Sequence, residues 1–72
     1  MVEVFRTDVP DIIAGKMILY ALHRQFPSFA ANFDFHDCDK ILRVKSNGIS
    51  IDHENIISLL RSFGFKAEPL PE

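Results

Sequence analysis

The spacing of apolar positions changes period along the chain and predicts six elements. Val2-Glu3-Val4-Phe5 is short and β-branched or aromatic, as a strand requires. Asp8-Val9-Pro10-Asp11 stops it with an N-cap candidate at Asp8, a first-turn proline and an acid for the positive end of a helix. The helix runs from Pro10 to about Gln25 and ends at Phe26-Pro27-Ser28, because Pro27 disfavours the α conformation at Phe26. With residues placed at about 100° each, Ile13, Ala14, Met17, Ile18, Tyr20 and Ala21 form the stripe expected to face a sheet. Ile12, Leu19 and Leu22 fall on its flank beside Lys16 and His23, where partial exposure is expected.

Asn32-Phe33-Asp34-Phe35-His36 alternates at period two, so Phe33 and Phe35 should point inward. Asp37-Cys38-Asp39-Lys40 is a polar turn, and Ile41-Leu42-Arg43-Val44-Lys45 resumes the alternation with Leu42 and Val44 inward. The two strands read as a hairpin. After the loop Ser46-Asn47-Gly48, Asp52 with Glu54 and Asn55 opens a second helix whose inner stripe is Ile56, Leu59, Leu60 and Phe63. Gly64 stands where a C-cap needs left-handed backbone, and Phe65 can fold back on the last turn as in a Schellman motif. Phe65-Lys66-Ala67-Glu68 then forms a last short strand, which Pro69 and Pro71 confine to a sheet edge.

The order β-α-β-β-α-β specifies one α+β domain over residues 1–72, a ferredoxin-like sandwich with two helices on one face of a four-stranded antiparallel sheet. Right-handed crossovers give the strand order 4-1-3-2. The expected core joins Phe33, Phe35, Leu42, Val44, Met17, Ile56, Leu60 and Phe63. The open face would then show Asn32, Asp34, His36, Ile41, Arg43 and Lys45, with Glu3 or Phe5 from the first strand.

Composition narrows the functional classes. The 72 residues are 47% hydrophobic and 25% charged, with seven Phe and a net charge of −2. Surface scaling predicts about 4,500 Å² of accessible surface for a single folded domain of this mass, hence a small core. Eight Lys/Arg against ten Asp/Glu supply no drive toward phosphate backbones, so nucleic acid is not an expected partner. Glu3, Arg6 and Asp8 interrupt any leader-like apolar run and no 18-residue apolar stretch occurs, so a cytoplasmic protein without membrane insertion is expected. One cysteine allows no intrachain disulfide. Cys38 lies between Asp37 and Asp39, whose charge disfavours a reactive thiolate. The weak metal-ligand candidates Cys38, His36, His23 and His53 sit on different elements, with no Cys-x-x-Cys and no His pair at i, i+4. No phosphate loop, nucleophile triad or carboxylate pair stands out, and two helices on a flat sheet rarely enclose a cleft, so neither an enzyme nor a cofactor is expected.

The element order, with Met17 in the first helix and Phe63-Gly64-Phe65-Lys66-Ala67 closing the second, resembles the heavy-metal-associated domain of copper chaperones and metal-pumping ATPases across nearly the whole chain. In that family the loop after the first strand carries Gly-Met-x-Cys-x-x-Cys, whose thiolates hold a soft ion. Here the loop is Thr7-Asp8-Val9-Pro10-Asp11-Ile12-Ile13, with Asp8 at the methionine position and Pro10 and Ile13 at the cysteine positions. The resemblance thus implies the scaffold without its metal site. The expected role is a small protein-interaction or adaptor module; alternatives are soft-metal (copper or zinc) handling through Cys38 and histidines, and a small-molecule sensor. Interface candidates are the Ile12, Leu19, Leu22 flank and the open-face residues Asp34, Ile41 and Arg43, either of which could also support a weak homodimer.

Overall fold

The computed structural model describes residues 1–36 and 40–71. Six elements follow in the expected order: β1 (Val2–Thr7), α1 (Ile12–Gln25), β2 (Ala30–Asp34), β3 (Ile41–Lys45), α2 (His53–Ser62) and β4 (Ala67–Leu70). The strands form one antiparallel sheet in the order β2-β3-β1-β4, the ferredoxin-like arrangement. Its accessible surface is 4672 Å², close to the value scaled from mass. No helix among the described residues is long and apolar enough to cross a membrane.

Strand alternation sets the core. Phe5 pairs with Leu42, and Leu42 with Phe33, so the three share the inner face. Phe5, Leu42, Val44, Ile18, Leu22, Ile56, Leu60 and Val9 are all fully buried, joining both helices to that one face. Phe33, Phe35, Leu59 and Phe63 pack around this centre half-buried. Phe5 and Glu3 therefore point toward the helices, which corrects their expected place on the open face. Val2, Val4 and Arg6 take that place, paired with Lys45, Arg43 and Ile41.

The first helix departs most from expectation. Its inner line is Gly15, Ile18 and Leu22, whereas Ile13 (72% exposed), Met17 (56%) and Tyr20 (66%) look outward. Gly15 decides the rotation. A Cβ at this position would lie 2.8 Å from Phe35 Cζ and 3.2 Å from Phe33 Cδ2, so the stacked Phe33–Phe35 pair, centroids 5.2 Å apart, needs a helix surface without a side chain. Asp11, not Asp8, is the N-cap and accepts the Ala14 N–H at 2.9 Å. Asp8 instead ties two strands together: its carboxylate accepts the Lys66 N–H at 2.7 Å and its own N–H donates to the Lys66 carbonyl at 3.4 Å.

The second helix forms as its sequence dictates. Asp52 accepts the Glu54 N–H at 3.0 Å, and Gly64 at φ 87° permits the bonds Phe65 N–H to Leu60 carbonyl (3.0 Å) and Gly64 N–H to Arg61 carbonyl (2.9 Å) of a Schellman cap. The last strand begins two residues later than expected and includes Pro69, which an edge strand bonded only to β1 can hold. The second strand begins two residues earlier, at Ala30, and keeps the same inward phase.

Candidate functional site

Two surfaces compete for a functional role, the open sheet face and the outer side of α1. On the sheet, Ile41 is only 7% exposed yet lies outside the helix-facing core, since its neighbours across the strands are Arg6 and Asp34. Flanking charges pair across the same face: Arg6 with Glu68 at 2.9 Å and Arg43 with Asp34 at 3.7 Å. Ile41 is thus corrected as an exposed apolar anchor, while Asp34 and Arg43 engage each other. Exposed pairs of this kind contribute under about 1 kcal/mol each, but they leave few unsatisfied charges for a partner.

The α1 flank is corrected in the same way. Leu22 is fully buried and Leu19 half-buried against the core, so of the three expected flank residues Ile12, at 59% exposure, presents substantial surface. The outward line is Ile13, Met17 and Tyr20, at i, i+4 and i+7. Met17, Tyr20, Lys16, Ala21 and the α2 cap residue Phe63 line a shallow apolar recess beside it. Arg24 closes the line: its guanidinium lies 5.8 Å from the Tyr20 ring centroid and donates to the Tyr20 hydroxyl at 3.3 Å. The cations Lys16 and Arg24 border the stripe, and α1 contains no acidic residue between Ile12 and Gln25.

The histidines are placed apart and each is engaged differently. His23 Nε2 accepts the Ala31 N–H at 3.2 Å, covering a backbone donor of edge strand β2. His53 Nε2 lies 2.8 Å from Glu3 Oε2, its ring edge-on to Phe5 with centroids 5.5 Å apart. The His36 backbone N–H donates to Asp34 Oδ1 at 3.0 Å, an Asx turn at the end of β2. Among the described residues no three His, Cys, Asp or Glu side chains are grouped to hold a metal ion. Cys38 and its flanking Asp37 and Asp39 lie outside the described residues.

A wider groove of about 720 Å³ runs between β1, β4 and the end of α2, past Arg6, Asp8, Ile57, Arg61 and Lys66. Its carboxylates already serve the fold, Asp8 on the Lys66 N–H and Glu68 on Arg6. The sequence did carry one signal for the outward line of α1. Ile13-Met17-Tyr20 continues at helical spacing to the cation Arg24, whereas Gly15-Ile18-Leu22 continues to Phe26, which packs against the core. Neither protein-family models nor curated proteins nor solved structures match this chain.

Proposed function

We propose that this protein is a small protein-interaction module on a scaffold like that of heavy-metal-associated domains, with a binding face in place of the metal loop. The observation that carries the reading is the exposure of Ile12, Ile13, Met17 and Tyr20 on one helix of a domain whose core is already complete. Apolar side chains in a contiguous exposed stripe lower the cost of desolvation for a partner and so favour association. The loop supports the same reading: Pro10 and Ile13, at the positions where the family has cysteines, are both exposed and neither has a ligating atom. Asp8, at the methionine position, is committed to the Lys66 amide.

A photo-crosslinking amino acid placed at position 17, in otherwise native protein in its own cells, tests the proposal. A discrete protein adduct, whose purified form binds wild type and loses binding to Met17→Glu, is the expected result. Absence of any adduct from positions 13, 17 and 20 would overturn the reading. So would 1:1 sub-micromolar Cu(I) or Zn(II) binding that Cys38→Ala abolishes, since that would return the protein to metal handling.

A further inference from the structure

Resting on the interaction reading, we propose that the outer face of α1 docks an acidic amphipathic helix of another protein. The shape argument starts from the line Ile13-Met17-Tyr20, which forms a ridge at i, i+4, i+7, with a parallel recess toward Phe63. Ridge and recess side by side match the packing surface of a second helix, whose own i, i+3, i+4, i+7 side chains interdigitate with them. The three side chains of the ridge, each more than half exposed, offer roughly 400 Å² of mostly apolar surface, at about 200 Å² per large side chain, enough for a small transient interface.

Charge then selects the occupant. The stripe is bordered by Lys16 and Arg24 with no acid in the helix, while the chain as a whole carries −2. The nearest acid in sequence, Asp11, lies at the N-terminal end of the helix, where its exposed carboxylate accepts the Ala14 N–H and faces the positive helix end. A partner helix with Glu or Asp flanking its apolar line would meet both cations. A second copy would answer them only in part: antiparallel two-fold pairing about Met17 brings Asp11 of one copy toward Arg24 of the other but sets the two Lys16 cations against each other at the centre of the seam. An anionic bilayer would be held by only two basic residues, at about 1 kcal/mol each, and by a stripe one helix line wide.

The experiment uses the full chain and two synthetic helical peptides with the same Leu line, one flanked by Glu and one by Lys. Binding is followed by backbone amide shifts. The expected result is micromolar binding of the Glu peptide, at least about tenfold tighter than the Lys peptide, weakening with salt, with shifts concentrated in α1 and around Phe63. Met17→Glu should abolish binding, and Lys16→Glu with Arg24→Glu should invert the preference; both sites are exposed, and unchanged circular dichroism verifies the fold. Equal binding of the two peptides, or none, overturns the acidic partner. Concentration-dependent self-association through α1 overturns it in favour of a second copy, and binding to phosphatidylglycerol vesicles but not to the Glu peptide overturns it in favour of a membrane. A crosslinked partner at position 17 together with no charge preference would reject this inference while leaving the interaction reading intact.

Discussion

Gly15 shows most clearly how one residue sets the geometry of the fold. A glycine in mid-helix costs roughly 1 kcal/mol relative to alanine, yet here the missing Cβ makes room for two stacked phenylalanines. Gly15→Ala is therefore expected to destabilise, by about 1 kcal/mol net, because Phe35 must shift out of its stack to relieve the 2.8 Å approach. In a Phe35→Ala background the same change should cost less, since the 2.8 Å approach is gone and the gain in helix propensity is set only against the 3.2 Å approach to Phe33 Cδ2. Urea denaturation of the four proteins of this cycle checks the coupling. Burial separates the other aromatics. Phe5 is fully buried and Phe63 half-exposed, so Phe5→Ala should cost about 3–5 kcal/mol and Phe63→Ala about 1–2 kcal/mol, measured the same way.

At the scale of elements, the caps make separate statements. Asp52→Ala removes one N-terminal bond of α2 and Gly64→Ala forces a Cβ into left-handed backbone at φ 87°, each costing about 1 kcal/mol by denaturation. The two should add, since they act on opposite ends of the helix. Both caps were legible because short-range chemistry alone specifies them. The strand phases were legible too, because alternation at period two fixes which side chains share a face even when the ends shift by two residues. The rotation of α1 was not. Counting apolar residues favoured Ile13, Met17 and Tyr20, but helix packing is decided by how closely the partner can approach, and the small Gly15 and Ala14 mark the close side. The side chains expected to form the core thus became the candidate site. Asp8 was misread for a related reason: a carboxylate before a helix satisfies the local capping rule, but its partner is Lys66, 58 residues away.

For the whole molecule, one strand pairing has a kinetic meaning. β1 and β4 pair antiparallel with Val4 opposite Leu70, so the two ends of the described chain lie side by side on neighbouring strands. Closing that pair is the longest-range event in folding the sheet, and relative to a hairpin its loop costs on the order of 2 kcal/mol of chain entropy. A circular permutant that joins the termini through a short Gly-Ser linker and opens the chain within the exposed turn 47–49 would convert this pairing into a local one while interrupting no helix or strand. Its refolding rate in stopped-flow mixing should rise relative to the parent, with β1–β4 forming early. Unchanged refolding would place the slow step elsewhere, in docking the helices onto the sheet. The fold can therefore be read as a ring of elements whose sequence order is one choice among several, and its opening point can be moved without altering the packed face of Phe5, Leu42 and Val44.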